Sequence, residues 1–206
     1  MVLAAAVLIG FAAGFLRAAL AQRPYRTPNL RYPALVLVAF LPQFVAFYLS
    51  RSDLPNLGGL GEWAPVILVS TQLLLLVFAW FNRRQPGFWL LGLGLALNLL
   101  VILLNGGYMP ISPETVRKNY PYAPDSAWRV GQRLGNGKDI VLPVEETRLW
   151  FLSDRFTFQS GGNLFVAFSL GDILIALGAF WLLWSLGGPS KSVHAGQDRC
   201  AGASEL

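Results

Sequence analysis

The sequence predicts an all-α fold: a polytopic membrane helix bundle of about five transmembrane helices with a small extracytoplasmic cap. Three observations carry that expectation. Of 206 residues, 54% are apolar and 13% charged, where soluble domains run about 45–50% and about 25%. Mean hydropathy is +0.50. Five stretches are apolar over most or all of the roughly 20 helical residues that a bilayer core needs. Composition also excludes. One Cys and one His build neither a disulfide scaffold nor, within one chain, a site needing two imidazoles or several thiolates. No metal and no cofactor is expected.

The first stretch runs from Val2 to Ala21, broken only by Arg17. It resembles a signal peptide at Ala19-Leu20-Ala21, but no Lys or Arg precedes the apolar run, so a retained helix is expected. The second, Ala34 to Ser50, contains Pro42 and Gln43; the third, Ala64 to Phe81, contains Gln72. The fourth, Phe88 to Leu104, contains Asn98, and the fifth, Leu164 to Leu186, contains Asp172. Backbone in lipid must satisfy its own hydrogen bonds, so each is expected to be helical. Arg83-Arg84-Gln85-Pro86-Gly87 is a tight turn joining antiparallel neighbours. The expected organisation is four helices over residues 1–105, a polar extracytoplasmic segment over 106–163, a fifth helix over 164–186 and a disordered cytoplasmic tail over 187–206.

Charge orients the spans. With the N-terminus outside, Arg23, Arg26, Arg31, Arg83, Arg84, Lys191 and Arg199 all fall inside, as the positive-inside tendency requires. The outer side then sums to zero, and the formal charge of +5 is carried by the inner face. The basic balance is therefore an orientation signal, with contact to anionic lipid, and nucleic acid is not an expected partner. Tyr25, Tyr32, Tyr48, Trp63, Trp80, Trp89, Trp181 and Trp184 sit near span ends, as an interfacial aromatic belt does.

Inward faces follow from spacing. Ala6, Gly10, Gly14 and Ala18 recur every four residues, a small-residue stripe that admits a close backbone. The partner is a helix of the same chain or a second copy; the sequence leaves both open. Gln43, Gln72, Asn98 and Asp172 are each expected about 12–15 Å from a span end at 1.5 Å per residue, converging on the middle to outer-middle layer. Arg17 lies deeper. Arg17 and Asp172 are the only charges within spans and each is the other's expected compensating partner, directly or through the amides. Two readings stay open for this cluster: a pocket for a proton, an ion or a small ligand, or a hydrogen-bonded network that fixes helix packing.

Two segments stand out. After the fourth span the chain reads Asn105-Gly106-Gly107-Tyr108-Met109-Pro110, and at the fifth it reads Ser169-Leu170-Gly171-Asp172-Ile173-Leu174-Ile175-Ala176. Gly106 and Gly107 supply positive φ to end a helix, and Pro110 prevents its resumption. Met109 and Tyr108 are placed to fold back over the outer mouth, as a plug or a site rim. Together the two segments resemble a family of small bacterial membrane proteins known only as a domain of unknown function. The resemblance implies about five spans and no assigned activity. Its recurring positions correspond to Asn105, Gly106, Met109, Pro110, Ser169, Gly171 and Asp172. One departure is a charge-rich outer segment, with Arg117-Lys118 and Glu145-Glu146.

Within that segment, Leu134 to Lys138 is expected to form a hairpin turn before Ile140-Val141-Leu142. Trp150-Phe151-Leu152 is expected to form a short interfacial helix. No nucleophile–base set, P-loop or dinucleotide fingerprint is present in the sequence. The favoured role is an accessory or interaction subunit of the bacterial plasma membrane, contacting another membrane protein or itself, and not an enzyme. The alternative is an ion- or small-molecule-binding, permease-like bundle; an enzyme at the outer leaflet ranks last.

Overall fold

A computed structural model describes residues 2–47, 62–159 and 165–189. Residues 48–61 with Tyr48, Arg51 and Asp53, residues 160–164 with Leu164, and residues 190–206 with His194 and Cys200 lie outside the described residues. Six helices make the described chain mostly helical, 58% of it. They are α1 (Val2–Leu20), α2 (Ala34–Phe47), α3 (Ala64–Phe81), α4 (Phe88–Leu104), α5 (Pro113–Asn119) and α6 (Leu170–Leu186). Of these, α1 and α3 are long and apolar enough to cross a membrane; α2, α4 and α6 are apolar but shorter.

Local chemistry sets the ends. Pro65 sits in the first turn of α3, where its missing N–H costs nothing. Gly87, at φ 82°, turns the chain into α4. At the other end of α4, Gly106 (φ 74°) and Gly107 (φ 85°) reverse it, and the Gly107 N–H donates to Ile102 O at 2.9 Å. That is the Schellman closure. α6 begins at a capping box: the Asp172 N–H donates to Ser169 Oγ at 3.0 Å, and the Ser169 N–H donates to Asp172 Oδ2 at 3.0 Å.

The five long helices pack in the order α1–α6–α4–α3–α2. The row puts α1 and α2 at opposite ends. The connection between them must therefore cross beneath α6, α4 and α3, and residues 21–33 do so as a strap. Tyr25 donates to Leu183 O, and Arg26 to Ser185 O at 2.8 Å. Further along, Asn82 in the α3–α4 turn takes the Arg31 N–H at 2.7 Å and donates to Arg31 O at 3.0 Å.

Glycines let the row close up. A Cβ at Gly94 would lie 2.5 Å from Gly171 O, and one at Gly178 would lie 2.6 Å from Gly87 O. Gly87 and Gly94 are seven apart, as are Gly171 and Gly178, so α4 and α6 meet backbone to backbone at two levels. In α1, Gly10, Gly14 and Ala18 are buried and Ala6 is half-buried; a Cβ at Gly10 would lie 2.9 Å from Phe180 Cα. The stripe thus faces α6 of the same chain. The outward faces of α1 and α2 remain apolar and uncovered, with Leu8 71% and Leu37 66% exposed.

The cap departs from an all-α fold. Strand β1 (Met109–Ile111) pairs in parallel with β2 (Asp139–Val141), and β3 (Phe156–Gln159) pairs antiparallel with β4 (Phe165–Phe168). Buried backbone needs partners, and these short extended pieces find them in each other. The fifth apolar stretch is therefore a strand followed by a helix: α6 starts at Leu170, not Leu164. Arg133 bridges Ile140 antiparallel, and the Gly137 N–H donates to Leu134 O at 3.1 Å, giving the turn over 134–137. Trp150–Leu152 forms a 3-10 turn. Ile111, Val116 and Val141 make a small core within the cap. Met109 and Leu152 pack into Leu68, Val101 and Ile102 of the row, seating the cap on the helix ends.

Candidate functional site

The site is the seam between cap and row, built by the two motif segments. Asn105, buried, donates to Val101 O at 2.7 Å and to Arg148 O at 3.0 Å, and accepts the Arg148 N–H at 3.0 Å. One amide thus satisfies both the end of α4 and a cap loop. Gly107 passes against Pro65 at the start of α3. Met109 and Pro110 are fully buried, and as part of β1 they hold β2 in register: the Met109 N–H donates to Lys138 O at 3.0 Å. Pro110 O accepts the Asp154 N–H at 3.1 Å. Tyr108 is half-buried, with the Arg133 guanidinium 6.0 Å from its ring and 5.3 Å from that of Phe47.

This scaffold sets Lys138 between carboxylates. Its Nζ donates to Asp139 Oδ1 at 2.9 Å and also to Asp154 Oδ2, whose side chain is 1% exposed. Asp172, at the start of α6, lies within electrostatic reach of both Lys138 and Asp154. Burial alone would push the Lys138 ammonium down; the carboxylates Asp139, Asp154 and Asp172 outweigh it and hold the amine charged, above the ordinary lysine range. Burial pushes the Asp154 carboxyl up; Lys138 opposes that, while Asp139 and Asp172 add to it. One amine thus faces three carboxyl groups, of which Asp172 also accepts from Asn98 and the Ser169 N–H. Asp154 Oδ1 is buried without a hydrogen-bond partner. Among the described residues no group of three His, Cys, Asp or Glu side chains is placed to hold a metal ion.

The five polar residues expected to converge do so only in part. Asn98 Nδ2 donates to Asp172 Oδ1 at 2.9 Å, and Ser169 Oγ donates to Asn98 Oδ1 at 2.9 Å, joining α4 to α6. A Cβ at Gly171 would strike that Asn98 side chain. Gln43 is elsewhere, donating to Thr71 Oγ1 between α2 and α3. Gln72 has its Oε1 buried without a partner. Arg17 does not meet Asp172. Its guanidinium lies 4.1 Å from the Trp184 ring, at the far end of α6, and 12 residues of helix put about 18 Å between the two levels. The correction comes from the strand: with α6 starting at Leu170, Asp172 is a first-turn capping residue, about 3 Å into the helix, and not a mid-helix one.

Lys138, Asp139 and Asp154 were not singled out by sequence reasoning. Asp154 is 16 residues from Lys138, in no recognisable spacing. The Ser169-to-Asp172 capping box is a signal at the seam beside the Asn105–Pro110 segment, since S-x-x-D marks a helix start.

Fold and seam together define a mostly helical chain with a row of apolar helices, two of them of membrane-crossing length, under a polar cap. The chain belongs to a family of unknown function, DUF5317, which it matches over residues 27–184. Both motif segments and the whole cap lie inside that range, and α1 lies outside it. No curated protein and no solved structure is significantly similar to the chain.

Proposed function

We propose that this is a five-span protein of the bacterial plasma membrane, N-terminus outside and C-terminus inside, acting as an accessory or interaction subunit. The observation that carries this reading is what the motif residues touch. Asn105 clasps Arg148, Asn98 clasps Ser169 and Asp172, and Met109 and Pro110 are buried in the seam. These contacts fix an outer cap over the helices, which is what a presenting or partner-binding subunit needs. The apolar flanks of α1 and α2 face lipid or another membrane protein, which includes a second copy of the chain. Lipid-facing apolar surface of this kind matches the composition, and the arginine-rich helix ends match the inner leaflet. Purification in gentle detergent after in-cell crosslinking, followed by native mass spectrometry, tests the role. A stoichiometric partner or a self-assembled complex is expected; a strictly monomeric, partnerless chain contradicts it.

A second reading has its own observation. The unpartnered Asp154 Oδ1 beside Lys138 and Asp172 favours a site for a proton or small cation at the seam. An Asp154→Asn variant that folds normally and keeps its complex, yet loses a cellular phenotype, selects that reading over the first.

A further inference from the structure

The end of the row opposite the cap carries arginine without acid. Arg17 closes α1, Arg26 lies on the strap, and Arg83 and Arg84 form the α3–α4 turn. Together with Trp89 and Trp181 they line a cleft of about 870 Å³. Neighbours hold three of these guanidinium groups in place. Arg17 stacks on Trp184 at 4.1 Å, and Arg83 stacks on Trp80 at 4.1 Å while donating to Trp80 O at 3.0 Å. Arg26 donates to the last carbonyls of α6, at Ser185 and Leu186, which also cancels the negative end of that helix. Arg84 is exposed. Among the described residues every Asp and Glu lies on the cap side of the row, and no carboxylate pairs with any of these four arginines. Stacking and carbonyl bonds thus stand where a carboxylate would, so among the described residues no acid neutralises these guanidinium groups. Four such charges on one concave surface raise the local potential for an anion, and planar N–H forks suit phosphate oxygens. The first turn of α4, which takes no side-chain cap, opens on the same cleft at Gly87 and Trp89.

We infer that this cleft binds a phosphate-bearing anion, with Arg17, Arg26, Arg83 and Arg84 around the phosphate and Trp89 and Trp181 flanking it. This goes beyond the accessory role and does not depend on whether a partner exists. A phosphodiester headgroup of an acidic phospholipid and a free phosphate or phosphorylated solute share that chemistry. A basic pocket between helix ends with exposed indoles beside it is the form that headgroup sites take.

The test uses the full-length chain in a non-ionic detergent. Tryptophan fluorescence and thermal stability are followed on adding phosphatidylglycerol, phosphatidylcholine or inorganic phosphate. Tighter binding of phosphatidylglycerol than of phosphatidylcholine, undisturbed by millimolar phosphate, is the result expected for a headgroup. Displacement of phosphatidylglycerol by phosphate supports a soluble ligand at the same arginines. Arg84→Gln should weaken binding about fivefold, and Arg83→Gln with Arg84→Gln about 25-fold, on about one kcal/mol per basic residue. Equal response to the two lipids with none to phosphate overturns the inference on the wild-type chain alone. So does full affinity in a folded Arg84→Gln variant.

Discussion

Adding one methyl group at Gly94 should part α4 from α6 at the level of the seam. The Cβ of a Gly94→Ala variant would sit 2.5 Å from Gly171 O and 2.9 Å from Ile175 N. Both are backbone atoms, so no side chain can swing away. Real Cβ contacts essentially never fall below 3.0 Å, so the two helices must separate by about half an ångström. Overpacking of this sort costs about 1–3 kcal/mol. The Asn98 bonds to Ser169 and Asp172 lie one turn away, and weakening both adds about 0.6 kcal/mol each. Replacing Gly by Ala within a helix returns up to about 1 kcal/mol. The net is a loss of about 2 kcal/mol, or ~4–8 °C in apparent Tm for a chain of this size. Gly92→Ala is the internal control. Its Cβ would meet only Ala79 Cβ at 3.6 Å, an ordinary contact, so the helix-propensity gain stands alone and Tm should rise. Thermal melts of the two detergent-purified variants, read by circular dichroism, compare opposite signs. A Gly94→Ala chain as stable as wild type would refute the glycine-mediated crossing.

Other outcomes follow from the same contacts. Asn105→Ala removes two hydrogen bonds between α4 and the cap and one to Val101 O within α4 and leaves the Arg148 N–H unpaired, a loss of about 2–3 kcal/mol. Limited proteolysis should cut within the cap at least about tenfold faster than in wild type, and unchanged cutting would mean that the cap is held by something else. Asp154→Asn should change how stability depends on pH. Because the folded carboxyl is raised above its unfolded value, its proton-linked stabilisation is present below the unfolded pKa and is lost as pH climbs towards neutrality. Melting curves across that range should show wild type losing stability relative to the variant as pH rises; parallel curves would contradict the buried placement of Asp154.

Hydropathy placed two of the helices to the residue, Ala64–Phe81 and Phe88–Leu104, because a polar turn with Pro and Gly separates them. It misjudged the start of α6. Phe165-Val166-Ala167-Phe168 is as apolar as the helix that follows, and apolarity does not distinguish a buried strand from a membrane helix. The strand puts Asp172 at the cap of α6 and away from Arg17; the expected pairing of the two rests on their being the only charges in apolar stretches. The small-residue stripe of α1 was visible through its four-residue repeat. The equivalent glycines of α4 and α6 were hidden, since each pair is spaced by seven on a different helix and only their juxtaposition shows the crossing. Lys138, Asp139 and Asp154 meet through a parallel β1–β2 pairing across a crossover that carries no periodic signal, so the seam could not be read from spacing.

The proposed topology puts the cap outside and the arginine-lined helix ends inside. Cys200 is the only thiol in the chain, and Tyr122 in the cap is 81% exposed. A membrane-impermeant maleimide applied to intact spheroplasts should label a Tyr122→Cys variant in a Cys200→Ser background. It should leave wild-type Cys200 unlabelled until the membrane is permeabilised. Labelling of wild-type Cys200 without permeabilisation, with the cap thiol protected, would invert the orientation and contradict the account.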